Sequence, residues 1–189
     1  MSDLCQLQDV KSYIGQNNTR SDTVLQSLIS NASAFIERYC SRTFAQADYS
    51  ETRNGTGGYR MPMKQAPITA VSSVSVNDLA VPAAVNGTSY GYVWDSEIIY
   101  IRPGAPPSQL PWAFSLGIQN VVIDYTAGYS MIPLDVAQAC IELVASKFAK
   151  RDRIDKKNEI LAQQTVGFDI SSMPQSVVCA LAQYRRWGQ

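Results

Sequence analysis

Histidine is absent from all 189 residues. With it goes the side chain most often used for proton transfer near neutral pH, and a common metal ligand. Cysteine is scarce: Cys5, Cys40, Cys140 and Cys179 contain no C-x-x-C pair, so a zinc site would need four thiolates gathered from distant segments. Charge is sparse at 17% and balanced, 16 basic against 16 acidic residues, which gives no bulk reason to expect a nucleic-acid or membrane-surface binder. No window approaches the ~20 apolar residues of a membrane span. The opening MSDLCQLQDV lacks the basic flank and apolar run of a signal peptide, so the N-x-S/T triplets at Asn17, Asn31, Asn54 and Asn86 have no secretory context. The glycine-rich NGTGGYR lacks the lysine and hydroxyl residue of a phosphate-binding loop, and no G-x-S-x-G elbow occurs. The carboxylate pairs Asp95/Glu97 and Asp152/Asp155 are of a kind abundant on protein surfaces. The expectation is a protein without catalytic activity, cofactor or metal.

What is present is a globular composition, 46% apolar, in a chain long enough to bury a real core. Leu7, Val10 and Ile14 predict a short helix stopped by Gly15. After QNNTRSD, where Ser21 or Asp22 can cap, apolar residues recur at three- and four-residue steps from Val24 to Cys40, predicting a helix of roughly five turns. From residue 46 to 126 the texture turns to strands. DYSETRNGTGGYRMPM reads as a hairpin around Asn54-Gly55. Pro67 opens a half-buried strand with Ile68, Val71, Val74 and Val76. A second hairpin turns near Asp95-Ser96, PGAPPSQLPW is irregular because its prolines lack donors, and GIQNVVIDYTAG is a last strand. Gly128 permits a reversal, Pro133 suits a first helical turn, and Ala137, Ile141, Val144 and Phe148 line one helix face with Cys140 beside them. QQTVGFDISSMP breaks the pattern as an exposed loop or arm. Ser172 and Pro174 then open a final helix with Val177, Val178, Leu181 and Tyr184 on its apolar side.

The fold class expected is α+β: an amphipathic helical bundle built from both chain ends, with an inserted small antiparallel β-sheet. One domain spans 1–189, divided into N-terminal helices (1–45), a β-rich insertion (46–126), a long helix (133–163) and a C-terminal arm and helix (164–189). Each amphipathic helix carries a stripe that water cannot satisfy, so helices from opposite ends must pack together.

Charge is unevenly placed: residues 1–146 carry 8 positive and 12 negative groups, residues 147–189 carry 8 and 4. Lys147, Lys150, Arg151, Arg153, Lys156 and Lys157 read as a solvated helix continuation or as a strip facing DNA or a neighbouring subunit. Tyr90, Tyr92, Trp94 and Tyr100 cluster in one hairpin with Arg102 as the nearby cation. Packing explains them better than base stacking, which needs interleaved basic residues. Buried, reduced thiols are favoured over disulfides, since Cys40 and Cys140 fall on apolar helix faces.

Four segments, in this order, carry a resemblance. They are the helix pair LQDVKSYIG and SDTVLQSLISNASAFIERYCSRTF, the proline-led APITAVSSVSV, the run VVIDYTAGYSMIPLDVAQACIELVASKF, and the closing LAQYRRWG. The chain resembles the head–tail connector (adaptor, head-completion) proteins of long-tailed bacteriophages. The resemblance implies a non-enzymatic virion protein at the head–tail junction, made in the host cytoplasm. It implies a ring, typically of twelve copies, under the portal protein and joined to a tail or stopper protein. Double-stranded DNA would pass through the ring without sequence readout, and no membrane would be involved. It further implies that the segment from about Thr165 faces the portal, placing Phe168, Ile170, Met173, Tyr184, Arg185, Arg186 and Trp187 at the partner interface. The alternatives are another neck component, such as a stopper or tail-completion protein, and a nucleic-acid-binding accessory protein. The middle segment is longer and richer in strand than in the compact, mostly helical members.

Overall fold

A computed structural model describes residues 2–103, 110–151, 158–161, 164–167 and 173–185, with backbone only for 158–161 and 164–167. The fold is α+β. The chain divides into two units, Met1–Arg42 with Met131–Gln189, and Thr43–Ser130.

In the first unit, α1 (Leu7–Ile14) ends at Gly15, whose φ of 68° supplies the left-handed stop. Lys11 of α1 bonds Asp22 at 2.8 Å, at the start of α2 (Asp22–Cys40). Ser21 holds the N-cap position of α2, but its side chain makes no capping bond. Leu25, Ile29, Ala32, Ile36 and Cys40 are fully buried along one face. The helix α3 (Leu134–Lys150) begins after Pro133, which sits at the N-cap, one residue ahead of the first turn. It buries Val136, Ala139, Cys140, Ile141, Leu143, Val144 and Phe148, and packs against α1, α2 and α4 (Gln175–Ala182).

The second unit holds two antiparallel sheets. Its strands are β1 (Ala47–Gly55), β2 (Arg60–Pro62), β3 (Ile68–Val76), β4 (Leu79–Val81), β5 (Gly91–Trp94), β6 (Ile98–Arg102) and β7 (Gly117–Ala127). One sheet has the order β1-β7-β3-β4 and the other β2-β6-β5. In β7 the buried residues Val121, Ile123, Tyr125 and Ala127 alternate with their neighbours, the period of a half-buried strand. In β3 the buried residues Ile68, Val71 and Val74 are three apart instead of two. Register shifts between Ile68 and Ala70 and between Val71 and Ser73 account for this, because each inserts an unpaired residue. Met61, Met63, Ile99, Ile101 and Phe114 complete the core of this unit. Inside it, buried Glu51 accepts the Tyr125 hydroxyl, the Lys64 amide at 3.2 Å and an Arg53 guanidinium N–H at 3.0 Å.

Three expectations need correction. The Asn54-Gly55 hairpin does not form: β1 runs through Gly55 and pairs with β7, while β2 joins β6. Distant partners take the local polar groups, since the Gly55 N–H donates to Asn120 Oδ1 (2.9 Å), the Asn54 side-chain Oδ1 accepts the Gln119 N–H (2.8 Å) and the Gly57 N–H donates to Phe114 O (2.7 Å). Tertiary pairing overrides the turn preference of Asn-Gly. The long helix expected to residue 163 closes at Lys150. Residues 158–161 are instead strand β8, antiparallel to β9 (Gln164–Gly167), so the start of the expected loop or arm is also strand. Ile160, Thr165 and Val166 are β-branched, the type that a strand accommodates best. The rest of that arm (168–172), with Ser172, lies outside the described residues, as do 104–109 of the proline-rich stretch.

The Asp95-Ser96 hairpin forms as expected. Asp95 Oδ1 accepts the amides of Glu97 (2.9 Å) and Ile98 (2.8 Å), and these bonds hold its carboxyl below the ordinary value.

Candidate functional site

Lys147, Lys150 and Arg151 lie at the C-terminal turn of α3, at the i, i+3, i+4 spacing that puts side chains on one helix face. Cations here also complement the negative end of the helix dipole. Lys147 Nζ stands 5.2 Å from the Phe35 ring centroid and the Arg151 guanidinium 3.8 Å from that of Phe148. Both are held over apolar groups of their own unit, as cation–π contacts. Lys150 and Arg151 are exposed. Arg153, Lys156 and Lys157 lie outside the described residues.

The C-terminal segment is anchored by a shared carboxylate. Asp135, in the first turn of α3, accepts the Tyr184 hydroxyl at 2.9 Å and Gln183 Nε2 at 2.7 Å. Ser176 Oγ donates to Glu142 Oε2 at 2.8 Å, one turn pair along the same helix. Met173 is buried, and the Arg185 guanidinium lies 5.3 Å from the Tyr39 ring centroid. Thus Met173 and Tyr184 serve packing within the chain, and Arg185 is the exposed member of this set among the described residues. Phe168, Ile170, Arg186 and Trp187 lie outside them.

The aromatic hairpin is used internally. Tyr90 and Tyr92 are buried, their hydroxyls donating to Pro111 O (2.7 Å) and Val71 O (3.2 Å), and Tyr100 donates to Asp95 (2.9 Å). Burial pushes the Tyr90 hydroxyl up from its ordinary value. These rings pack rather than present a stacking platform, although Trp94 is 41% exposed.

A surface that the sequence reading passed over lies at one end of the β1–β7 ladder. Residues 54–59 and 112–120 contain no charged side chain. The two segments are joined by the Gly57–Phe114 bond (2.7 Å) and by Phe114 N–H donating to Gly58 O (2.9 Å). Phe114 is buried beneath, while Tyr59 (53%), Trp112 (62%), Leu116 (81%) and Ile118 (86%) are exposed. At ~150–250 Å² for each large side chain, the four together expose roughly 500 Å², and large apolar side chains left this exposed are candidates for an interaction surface. Two charge-free, glycine-containing runs bearing large apolar residues were the available signal, but they are more than fifty residues apart in the sequence and only the fold unites them.

Among the described residues no group of His, Cys, Asp and Glu could hold a metal ion, and no helix is long and apolar enough to cross a membrane.

The chain matches no curated protein. Its backbone is similar to a chain in the neck of an empty gene transfer agent particle computed with C6 symmetry, with a TM-score of 0.58, 19% identity, and coverage of 98% of this chain and 91% of that one. A chain in the neck of the native particle, computed with C12 symmetry, gives a TM-score of 0.57 at 17% identity, with 97% and 89% covered. A chain of the native gene transfer agent virion gives 0.57 at 20% identity, with 98% and 91% covered. These likenesses establish the shared fold. The family model for head completion proteins matches residues 3–187, nearly the whole chain, so the resemblance carried by the four segments is borne out. The chain belongs to the head completion protein family.

Proposed function

We propose that this protein is a structural subunit of a virion neck, a head–tail connector that assembles as a ring beneath the portal protein and joins it to a tail or stopper protein. The single observation that carries the reading is the family match over residues 3–187. The symmetric necks in which similar chains sit support a ring, and one of them was computed with twelvefold symmetry, in keeping with twelve copies. The role is mechanical and needs neither catalysis nor cofactor.

In this reading the whole chain acts as one adaptor domain. The helices of the first unit are its bundle, built from both chain ends, and the sheets are a docking accessory. The segment from about Thr165, with Phe168, Ile170, Arg185, Arg186 and Trp187, meets the portal, on an α4 that Met173 and Tyr184 hold in place. Lys147, Lys150 and Arg151, continued by Arg153, Lys156 and Lys157, face passing duplex DNA or a neighbouring subunit and contact phosphate without reading bases.

The occupant we assign to the uncharged tip is the next copy in the ring. A charge-free surface is a poor match for nucleic acid, whose binding rests on phosphate neutralisation. Its roughly 500 Å² also falls short of the ~800 Å² per partner of a stable complex. The isolated protein is then a monomer, and copies associate when a portal template concentrates them, as multivalent display predicts. Head-to-tail contacts of this kind close into rings when the rotation permits.

The test is negative-stain imaging and sedimentation of the protein alone and mixed with portal rings. A monomer alone and an added ring of density on the portal are expected. Failure to join any portal, together with duplex DNA binding that falls steeply with salt, would replace this reading with a nucleic-acid-binding one.

A further inference from the structure

The segment ahead of α1 is laid along α2 and ends at a second thiol. Asp3 accepts Gln26 Nε2 at 2.7 Å and Ser30 Oγ at 2.9 Å, and Leu4, 2% exposed, donates its amide to Ser33 Oγ at 2.9 Å. The next residue, Cys5, places its Sγ 3.4 Å from Cys140 Sγ of α3. The two thiols are 135 positions apart in the sequence and touch inside the protein. Ser33 Oγ, 3.7 Å from Cys140 Sγ, completes the polar contacts of the pair.

We infer that Cys5 and Cys140 are a redox-active thiol pair that closes to an intrachain disulfide and so pins the N-terminal segment to α3. The inference takes its setting from the neck reading: the pair stays reduced in a reducing cytosol during assembly and closes after the particle meets an oxidising medium.

The chemistry follows from the geometry. Cys140 is fully buried and Cys5 is 7% exposed, so neither meets an oxidant while the segment is seated. Two side-chain bonds to Asp3 and one from the Leu4 amide seat the segment on α2, and its local opening exposes Cys5. In the opened state the Cys5 thiolate attacks one sulfur of a small disulfide such as glutathione disulfide, expelling one thiolate and leaving a mixed disulfide on Cys5. On reseating, the Cys140 thiolate attacks Cys5 Sγ and expels the second thiolate. Two protein thiols are oxidised, one small disulfide is reduced to two thiols, and the two protons pass to the leaving thiolates. The seated pair is arranged for the second step. In the reduced pair the S–H bond from Cys5 holds Cys140 below the ordinary thiol value against burial; in the mixed disulfide Cys5 has no proton to give, and Ser33 Oγ, 3.7 Å away, is the neighbour left to favour the Cys140 thiolate. The other thiols are set apart from this chemistry: burial pushes Cys40 up to about 11, and Cys179 is exposed on α4.

The test uses the full chain carrying Cys179→Ser, which removes the exposed thiol able to cross-link copies. Treatment with glutathione disulfide is expected to lower the thiols titrated in denaturant from three to one, since Cys5, Cys40 and Cys140 are all free at the start. Peptide mapping should join the Cys5 and Cys140 peptides, and the melting temperature should rise by several degrees and fall back with dithiothreitol. Adding Cys5→Ser should leave both remaining thiols titratable, whereas adding Cys140→Ser should leave Cys5 as a mixed disulfide with glutathione that dithiothreitol releases. The inference is overturned if the folded chain keeps all three thiols, if the bond forms through Cys40, or if closing it lowers the melting temperature. Unfolding intact particles in denaturant that already contains the alkylating agent tests the setting: Cys5 and Cys140 should escape alkylation until dithiothreitol is added, and finding both alkylated without it overturns the setting. A chain that oxidises at this pair yet never joins a portal refutes the neck reading and leaves the pair standing.

Discussion

Replacing Gly128 by alanine probes the reversal of the chain at the end of β7. Gly128 has a φ of 110°, and its neighbourhood is closed: its N–H donates to Pro67 O (2.9 Å), the Tyr129 N–H to Phe44 O (2.8 Å), and the Gln46 N–H to Tyr129 O (3.1 Å). A Cβ at this position would lie 2.5 Å from Ala45 O, 2.7 Å from Ala45 C and 2.8 Å from Gln46 Cα. All three are backbone atoms, so no side chain can rotate away. Left-handed backbone in a non-glycine residue costs ~1–2 kcal/mol, and forced overpacking adds ~1–3 kcal/mol. The expected loss for Gly128→Ala is therefore about 3 kcal/mol, or a fall of roughly 6–12 °C in melting temperature for a chain of this size. Two other glycines separate the terms. Gly15, at φ 68° with open space around it, should show the conformational cost alone, ~1 kcal/mol. Gly87 has neither a left-handed φ nor a neighbour within 4 Å, so its alanine variant should stay within about 0.5 kcal/mol of the parent. Thermal and urea unfolding of the three variants, followed by circular dichroism and by near-ultraviolet absorbance of the sheet tyrosines, gives the ordering. Should Gly128→Ala melt within about 2 °C of the parent, or Gly87→Ala prove equally damaging, the reasoning fails.

Three further predictions follow from other contacts. The triple change Trp112→Ser, Leu116→Ser and Ile118→Ser removes side chains that are already exposed, so unfolding should move by less than about 1 kcal/mol while ring formation on a portal is lost; assembly that survives would remove the tip from the subunit interface. Asp135→Ala deprives Tyr184 and Gln183 of their acceptor, and a local loss of about 1.4 kcal/mol should raise amide exchange across Gln175–Ala182 about tenfold, leaving the sheets unchanged. Unaltered exchange there would show that Val177 and Leu181 alone seat the helix. Burial and the bond to Glu51 raise the Tyr125 hydroxyl, so its contribution to stability is complete below about pH 10, the ordinary tyrosine value, and is lost as pH rises through the higher folded value. Tyr125→Phe should accordingly be less stable near neutrality by about 1 kcal/mol yet lose less with rising pH above about 10; parallel urea midpoints for both proteins across that range would refute the assignment.

What was readable in the residue order was whatever depends on neighbours in the chain. Helix bonds connect residues four apart, so the spacing from Val24 to Cys40 and from Ala137 to Phe148 located two helices, and Gly15 marked an end. The Asp95 turn was equally local, because that carboxylate binds amides two and three residues on. The family also lay within reach, since its marks are short segments in a fixed order. Strand partnership did not. Gly55 pairs with Gly117 and Ala47 with Ala127, and the local Asn-Gly preference yields to these distant bonds because an edge strand satisfies more donors in a ladder than in a tight turn. The same distance hid the candidate surfaces. The segments that carry Tyr59 and Leu116 are joined through Gly57, Gly58 and Phe114, and Cys5 meets Cys140, only when folding closes long loops. Which apolar groups stay uncovered, and which thiols touch, is therefore decided by tertiary packing rather than by any window of sequence.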